Sequence, residues 1–370
     1  MARRFILFCL RYSGFMRMWR WRHRRQVTIL MLHGVMDKTT PSAWAPLRAH
    51  MSPSRLDDCL RELGRRYRFV SIDEAADMLE GRSPVIPYSL VLTFDDGYRN
   101  QVSHAGPILA KHQAPGIIYL VPGHMTARKP FWFDRLDYAI QSLYTEGKPV
   151  TLTTGPLTVA GASRSALRDS YRRMRETARS LFRTDEEMLA ALDALADAAE
   201  RQSGRALKDV FEHDDWSRLL TWTEAKAGHP WIAFGSHTMD HVRLAHMPTA
   251  VAVDQCRTSR AVIEANLGTP CRHFCYPDGS VNAEVAEAAR ASGYRTAVTV
   301  DEGANAVGVD LMKLRRINLA TDGSTTELLA AVSGLSLALS RAIGRVRRLV
   351  GRLIPRAAGP SRTVAESAMP

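Results

Sequence analysis

Short continuous apolar runs recur along this chain, and between them apolar positions return every three or four residues. Val27 to Leu32 is one such run, ending at His33-Gly34. Residues 54–65 carry helical spacing, Phe69 to Ile72 reads as a short strand and 73–80 as a helix. Ser89 to Phe94 predicts the next strand, 101–112 a helix and Gly116 to Val121 another strand. The rhythm resumes late in the chain with strands at Trp231 to Gly235, His273 to Cys275, Thr296 to Val300 and Leu314 to Leu319. Helices at 249–266 and 282–292 separate them. Buried strands alternating with helices of this length predict a mainly parallel α/β sheet or barrel.

Residues 142–215 break the alternation. From 164 to 203 the chain is dominated by Arg, Glu, Asp and Ala with helical periodicity and no Pro, which predicts an inserted helical lid or substrate wall. Near the C-terminus, Leu339, Ile343, Val346, Val350 and Leu353 share one helical face, with Arg341, Arg345, Arg348 and Arg352 on the opposite one. The expected organisation is a basic arm over 1–25, a catalytic body over 26–334 and a basic amphipathic helix with its tail over 335–370.

The chain has 370 residues and a net charge of +12. That charge sits at the ends: residues 1–25 hold eight Arg and no acid, residues 335–370 seven Arg and one Glu, so the body between is close to −2. A near-neutral body argues against a nucleic-acid enzyme, whose positive charge belongs beside its site. The basic ends instead suit an anionic membrane surface. Five scattered cysteines form no Cys-x-x-Cys pair, so neither a thiolate metal site nor a disulfide framework is expected. No apolar run approaches the ~20 residues of a membrane-spanning helix. Arg3-Arg4 precedes a short apolar run without a small-residue cleavage site, which leaves a twin-arginine export signal weakly supported. The expectation is a cytoplasmic protein, peripheral at the membrane.

The strand Ser89 to Phe94 ends in Asp95-Asp96-Gly97. Adjacent carboxylates repel, and burying them ionised is costly unless a cation or hydrogen bonds compensate. A second cluster, Gly235-Ser236-His237-Thr238-Met239-Asp240-His241, also follows a strand. The spacing of His237 and His241 predicts both imidazoles on one side of a helical turn. In parallel α/β architectures the C-terminal strand ends converge on one face. One carboxylate and two imidazoles there make an N,N,O set with open positions, as a catalytic divalent ion requires. The second carboxylate is then free to accept a proton from water.

The Thr93-Phe94-Asp95-Asp96-Gly97 and Ser236-His237-Thr238 to His241 patterns resemble the polysaccharide deacetylases, a carbohydrate esterase family, and within it the exopolysaccharide branch. Ile29 to Gly34, Tyr67 to Ala75, Phe274 to Gly279 and Leu314 to Asn318 resemble further family segments, so the likeness spans about residues 26–320. It implies a deformed (β/α) barrel of about seven strands, zinc as cofactor and hydrolysis of N-acetyl groups from amino sugars of an oligosaccharide, polysaccharide or lipid-linked precursor. It also implies Asp95 as base and Asp96, His237 and His241 as metal ligands.

Two departures accompany the likeness. Cys275 stands where many members carry an Arg that orients the base, and no His follows His273 to act as general acid. In the exopolysaccharide branch an early His takes that role, which points to His33; His273 is the rival, although it precedes a strand. Tyr276, Pro277 and Asp278 are candidate pocket residues, Asp278-Gly279 being equally a turn. Trp132, Asp134 and Arg135 are candidates for lining a sugar groove. A related hydrolase acting on another amide, and a non-catalytic glycan-binding protein at a membrane, are the other readings that the sequence leaves open.

Overall fold

The computed structural model describes residues 2–37, 44, 46–48, 50–144 and 148–353, with the side chains of 2–4 and 347–353 outside the description. Ten strands are present among these residues: β1 (Thr28–Leu32), β2 (Arg68–Phe69), β3 (Ser89–Phe94), β4 (Gly116–Leu120), β5 (Val150–Thr154), β6 (Leu157–Gly161), β7 (Ile232–Ser236), β8 (His273–Cys275), β9 (Thr296–Glu302) and β10 (Leu314–Asn318). Seven of them run parallel in the order β1, β3, β4, β7, β8, β9, β10, and β1 pairs with both β3 and β10, so the sheet closes into a barrel. The short β2 joins the start of β3.

Strand alternation divides each run between two cores. Ile29, Val91, Ile117, Tyr119, Cys275, Val298 and Leu314 share the barrel interior, together with Ile72, Ala75, Met78 and Leu79 of the helix that seals its far end. Leu30, Leu32, Leu90, Leu92, Phe94, Ile118, Leu120 and Ile317 point outward beneath the surrounding helices. Both faces of the strands are therefore buried, which is why these segments read as unbroken apolar runs.

The helices are α1 (Ala2–Tyr12), α2 (Phe15–Arg22), α3 (Pro53–Gly64), α4 (Ile72–Leu79), α5 (Gly106–Lys111), α6 (Pro122–Ala127), α7 (Trp132–Leu143), α8 (Arg164–Leu181), α9 (Asp185–Ser203), α10 (Trp222–Ala227), α11 (Thr249–Leu267), α12 (Ala283–Ala291), α13 (Thr325–Val332) and α14 (Leu335–Leu353). The region expected to be a basic arm is in fact the helix pair α1 and α2. The predicted helix at 101–112 begins with one π-helical turn, Gln101–Ala105, before α5.

The insertion is not wholly helical. It opens with the antiparallel hairpin β5–β6, whose Val150, Leu152, Leu157 and Val159 are buried while the intervening threonines face outward. Helices α8 and α9 follow, the second started by a capping box between Thr184 and Glu187 and stopped at Gly204 in the left-handed conformation. At its C-terminal end α14 extends to Leu353; the side chains of Arg348, Val350, Arg352 and Leu353, and the tail from 354, lie outside the described residues.

Candidate active site

The inward row of β1 (Ile29, Met31) continues to His33, and the inward row of β3 (Val91, Thr93) continues to Asp95. The same alternation carries β7 from Gly235 to His237. Gly235 has to be small, because a Cβ there would lie 2.7 Å from the Tyr119 ring and 2.7 Å from the His273 carbonyl oxygen. Asp96 falls on the outward side of the alternation. It returns to the mouth through a left-handed backbone with φ of 79°, followed by Gly97 at 75°. Such a conformation costs a non-glycine residue about 1–2 kcal/mol, and Asp96 adopts it at the site itself, as strained residues commonly do.

At this mouth a cavity of about 620 Å³ brings together His33, Asp95, Asp96, His237, His241 and Asp278. The Asp96 Oδ1 lies 3.8 Å from His237 Nε2 and 3.4 Å from His241 Nε2. Ligand atoms of all three fall within 4.8 Å of one another. His237 Nδ1 is 2.8 Å from the Cys275 carbonyl oxygen and donates to it, which leaves the Nε2 lone pair facing Asp96 and His241. Burial pushes His237 down to about 4, so its imidazole is neutral, as a ligand must be. This donor set fits a divalent cation. A second grouping, Asp95, His237 and Cys275, fits one poorly, because burial raises the Cys275 thiol well above its ordinary range and keeps it protonated.

The two histidines do not share a helical turn. Residues 237–243 form a loop in which Thr238 and His241 take positive φ values of 64° and 58°. Gln255 on α11 holds this loop: its Oε1 accepts from the Met239 and Asp240 amides and its Nε2 donates to the Asp240 carboxylate.

The arginine missing at Cys275 comes from another strand. Arg316 on β10, on the same inward row as Leu314, spans the interior and is only 1% exposed. Its Nη1 and Nη2 donate to the two Asp95 carboxylate oxygens at 2.7 and 2.8 Å. The other donors reach Thr299 O at 2.8 Å, Thr93 Oγ1 at 3.0 Å and Cys275 Sγ at 3.3 Å. All five guanidinium N–H groups are thus satisfied. Burial opposes ionisation of Asp95, but the Arg316 charge outweighs it and holds the carboxyl below its ordinary range. Alternation along Leu314, Arg316 and Asn318 carried this signal in the sequence.

His50 was also missed. It lines the cavity, contacts the Arg48 carbonyl oxygen through Nδ1 at 3.0 Å and stands edge-on to Trp216. Burial, then the nearby Arg48 charge, pushes it down to about 3, so near neutral pH it is an uncharged imidazole whose Nδ1–H donates to the Arg48 carbonyl oxygen. His273 is at the other end of the barrel, with Thr296 Oγ1 at 2.9 Å and Asp73 Oδ1 at 3.3 Å, remote from the mouth because it opens β8.

The expected substrate residues divide. Asp278 lines the cavity and pairs with Arg179 of α8 at 2.7 and 2.8 Å, with Arg175 at 3.9 Å. Helix α8 therefore closes over the mouth through a guanidinium–carboxylate contact. Trp132 lines a smaller neighbouring cavity beside His241. Tyr276 instead points into the core against Phe274, and Pro277 is buried beside it without lining the cavity. Asp134 is buried, accepting from Tyr98 Oη at 2.9 Å and pairing with Arg48, which itself lines the cavity wall. Arg135 ties α7 to α9 through Asp193, Asp197 and Glu200. Tyr276, Pro277, Asp134 and Arg135 thus support the wall and do not line either cavity.

A closed parallel barrel with its polar cluster at the C-terminal mouth defines the deformed (β/α) barrel class. Residues 220–297 match the family model described as polysaccharide deacetylase. Over that stretch the chain is similar to that family. The matched stretch holds His237 and His241, while Asp95 and Asp96 follow β3 outside it.

Solved structures agree on the fold. The Streptococcus pyogenes deacetylase PplD, in complex with acetate, superposes with a TM-score of 0.54 at 18% identity, covering 83% of this chain and 98% of that one. IcaB from Ammonifex degensii gives 0.52 at 18% identity, covering 83% and 97%. A polysaccharide deacetylase from Bacillus cereus gives 0.50 at 15% identity, covering 83% and 69%. No curated protein matches the chain significantly.

Proposed function

We propose that the protein is a metal-dependent hydrolase that removes N-acetyl groups from amino sugars of a glycan, either an exopolysaccharide or a lipid-linked precursor. The observation that carries this reading is the approach of Asp96 Oδ1 to both imidazole Nε2 atoms, with the Arg316-held Asp95 next along the chain. Asp96, His237 and His241 are the ligands, and zinc suits their N,N,O chemistry. A divalent cation held there supplies a Lewis acid for the acetamide oxygen and lowers the pKa of water. Asp95, held ionised and oriented by Arg316, accepts the proton of the attacking water. His33, across the same cavity, donates a proton to the departing amine, and acetate and the free amino sugar leave. Asp278 and the Trp132 side of the mouth are the proposed sugar contacts.

The glycan-binding alternative rested on the arginine absent at position 275 and on the lack of a His after His273. Arg316 makes the contact expected of that arginine, so the first motive falls away and the second stands. Purified protein with zinc or cobalt is expected to release acetate from N-acetylglucosamine oligomers. Asp95→Asn should lower the rate by about 10²–10⁴-fold while still taking up zinc in a calorimetric titration. Turnover on other amides but on no acetylated sugar would move the assignment to the second enzymatic reading. Zinc binding without turnover on either would restore the binding-protein one.

A further inference from the structure

Helix α1 of the basic N-terminal end packs on α13, which leads into the basic helix α14. Leu7 of α1 and Met16 of α2 are buried in the main core. Arg11 Nη1 donates to Thr326 Oγ1 of α13 at 2.7 Å, and Trp19 Nε1 donates to the Ser333 carbonyl oxygen at 2.9 Å, beside the 78° bend between α13 and α14.

The outer faces of these helices invert the usual pattern. Phe5, Phe8 and Tyr12, at helical spacing along α1, are 69%, 54% and 70% exposed. Trp21 of α2 protrudes at 55%, with the Arg24 guanidinium 4.3 Å from its ring centroid. On α14, Ile343 and Val346 are about half exposed, interleaved with the exposed Arg341 and Arg345. Aromatic and aliphatic side chains standing outward among arginines are the composition of helices that lie in a bilayer interface. Net positive charge is concentrated on these two ends while the body is nearly neutral, which matches an anionic headgroup layer. Exposed aromatic faces on a soluble surface otherwise mark contact sites.

The helices also hang from the rim of the catalytic cavity. Residues 318–320 and Asp322 line that cavity and a smaller one of about 200 Å³ that continues to Ser336 of α14.

We propose that α1, α2 and α14 form one composite face that docks on an anionic lipid bilayer and brings the cavity mouth alongside the membrane. Arginines supply the long-range attraction, and the aromatic residues of α1 and α2 insert at the headgroup level. Docking stands independently of the deacetylase reading. Only its consequence, a glycan substrate met at the membrane surface, rests on that reading.

The test is co-sedimentation of the full chain with phosphatidylcholine vesicles made with and without phosphatidylglycerol. Binding is expected to the anionic vesicles, at least about tenfold weaker to neutral ones, and to fall with added salt. The pairs Phe5→Ser/Phe8→Ser and Arg341→Glu/Arg345→Glu should each weaken it by about tenfold or more, with the helical circular dichroism unchanged. Acetate release from soluble oligomers by the same variants should be unaltered; its absence in the parent chain would count against the deacetylase reading and leave docking intact. The salt dependence of the parent chain tests the proposal even if a variant misfolds. No binding to anionic vesicles, equal binding to neutral ones, or binding that survives both pairs of substitutions would overturn it. A lipid-free dimer that ignores vesicles would do so as well, and would assign the face to self-association.

Discussion

Arg316 shows how one side chain decides the state of another. Asp95 is buried at the barrel mouth, and burial alone would push its carboxyl up; the bidentate guanidinium holds it ionised. Its folded-state value therefore lies below the unfolded one, about 3.9. The stability it contributes is present above that pH and is lost as pH falls through the folded value. Arg316→Met leaves a buried carboxylate unpaired, which should lower stability by about 3–5 kcal/mol in urea titrations. The same change should move the acid limb of the pH–rate profile to higher pH. An unmoved limb would show that Arg316 does not set the ionisation of Asp95. The residue was legible, since alternation along β10 puts Leu314 and Arg316 on one face. The family likeness drew attention to position 275 instead. His50 had no comparable signal, because it lies on a loop without periodicity and reaches the cavity only through the closed fold.

Among the elements, strands β1, β3 and β4 read cleanly because both of their faces are buried. Helix α11 and strand β8 fall within one residue of their expected bounds. Hairpin β5–β6 was legible too: valine and leucine alternate with threonine around Gly155-Pro156, a period of two beside a much longer helical pattern that dominated it. The loop from His237 to His241 was not legible as a loop, since spacing alone suits one helical turn, and its course depends on the distant Gln255 and on positive φ at Thr238 and His241. The tightest packing around the strand that delivers His237 is at Gly235. Gly235→Ala should cost about 1–3 kcal/mol by overpacking against Tyr119 and the His273 carbonyl, read as a lowered denaturation midpoint. The same shift should weaken zinc uptake, because the displaced residue is two positions from His237, a proposed ligand. Full stability in this variant would show that the barrel interior relaxes around the extra carbon.

For the molecule as a whole, the site joins β3 to the loop after β7, so an ion gripped by both should tie folding to metal. Zinc at one hundred times its dissociation constant should stabilise the protein by about 2.7 kcal/mol, seen as a raised melting temperature that chelation reverses. Asp96→Ala, which removes the proposed ligand after β3, should abolish the shift, and a shift that persists would place the ion elsewhere. Charge asymmetry between ends and body was plain in the sequence. That the N-terminal end lies beside the start of the C-terminal one was not, because nothing local records the packing of α1 on α13. The central claim is one cation shared by Asp96, His237 and His241 beside a free Asp95. Anomalous diffraction at the zinc edge from zinc-soaked crystals tests it most directly. A single peak within bonding distance of Asp96 Oδ1 and both Nε2 atoms, with Asp95 still on Arg316, is the expected result. A peak on Cys275 and Asp95, or none at this mouth, would contradict it.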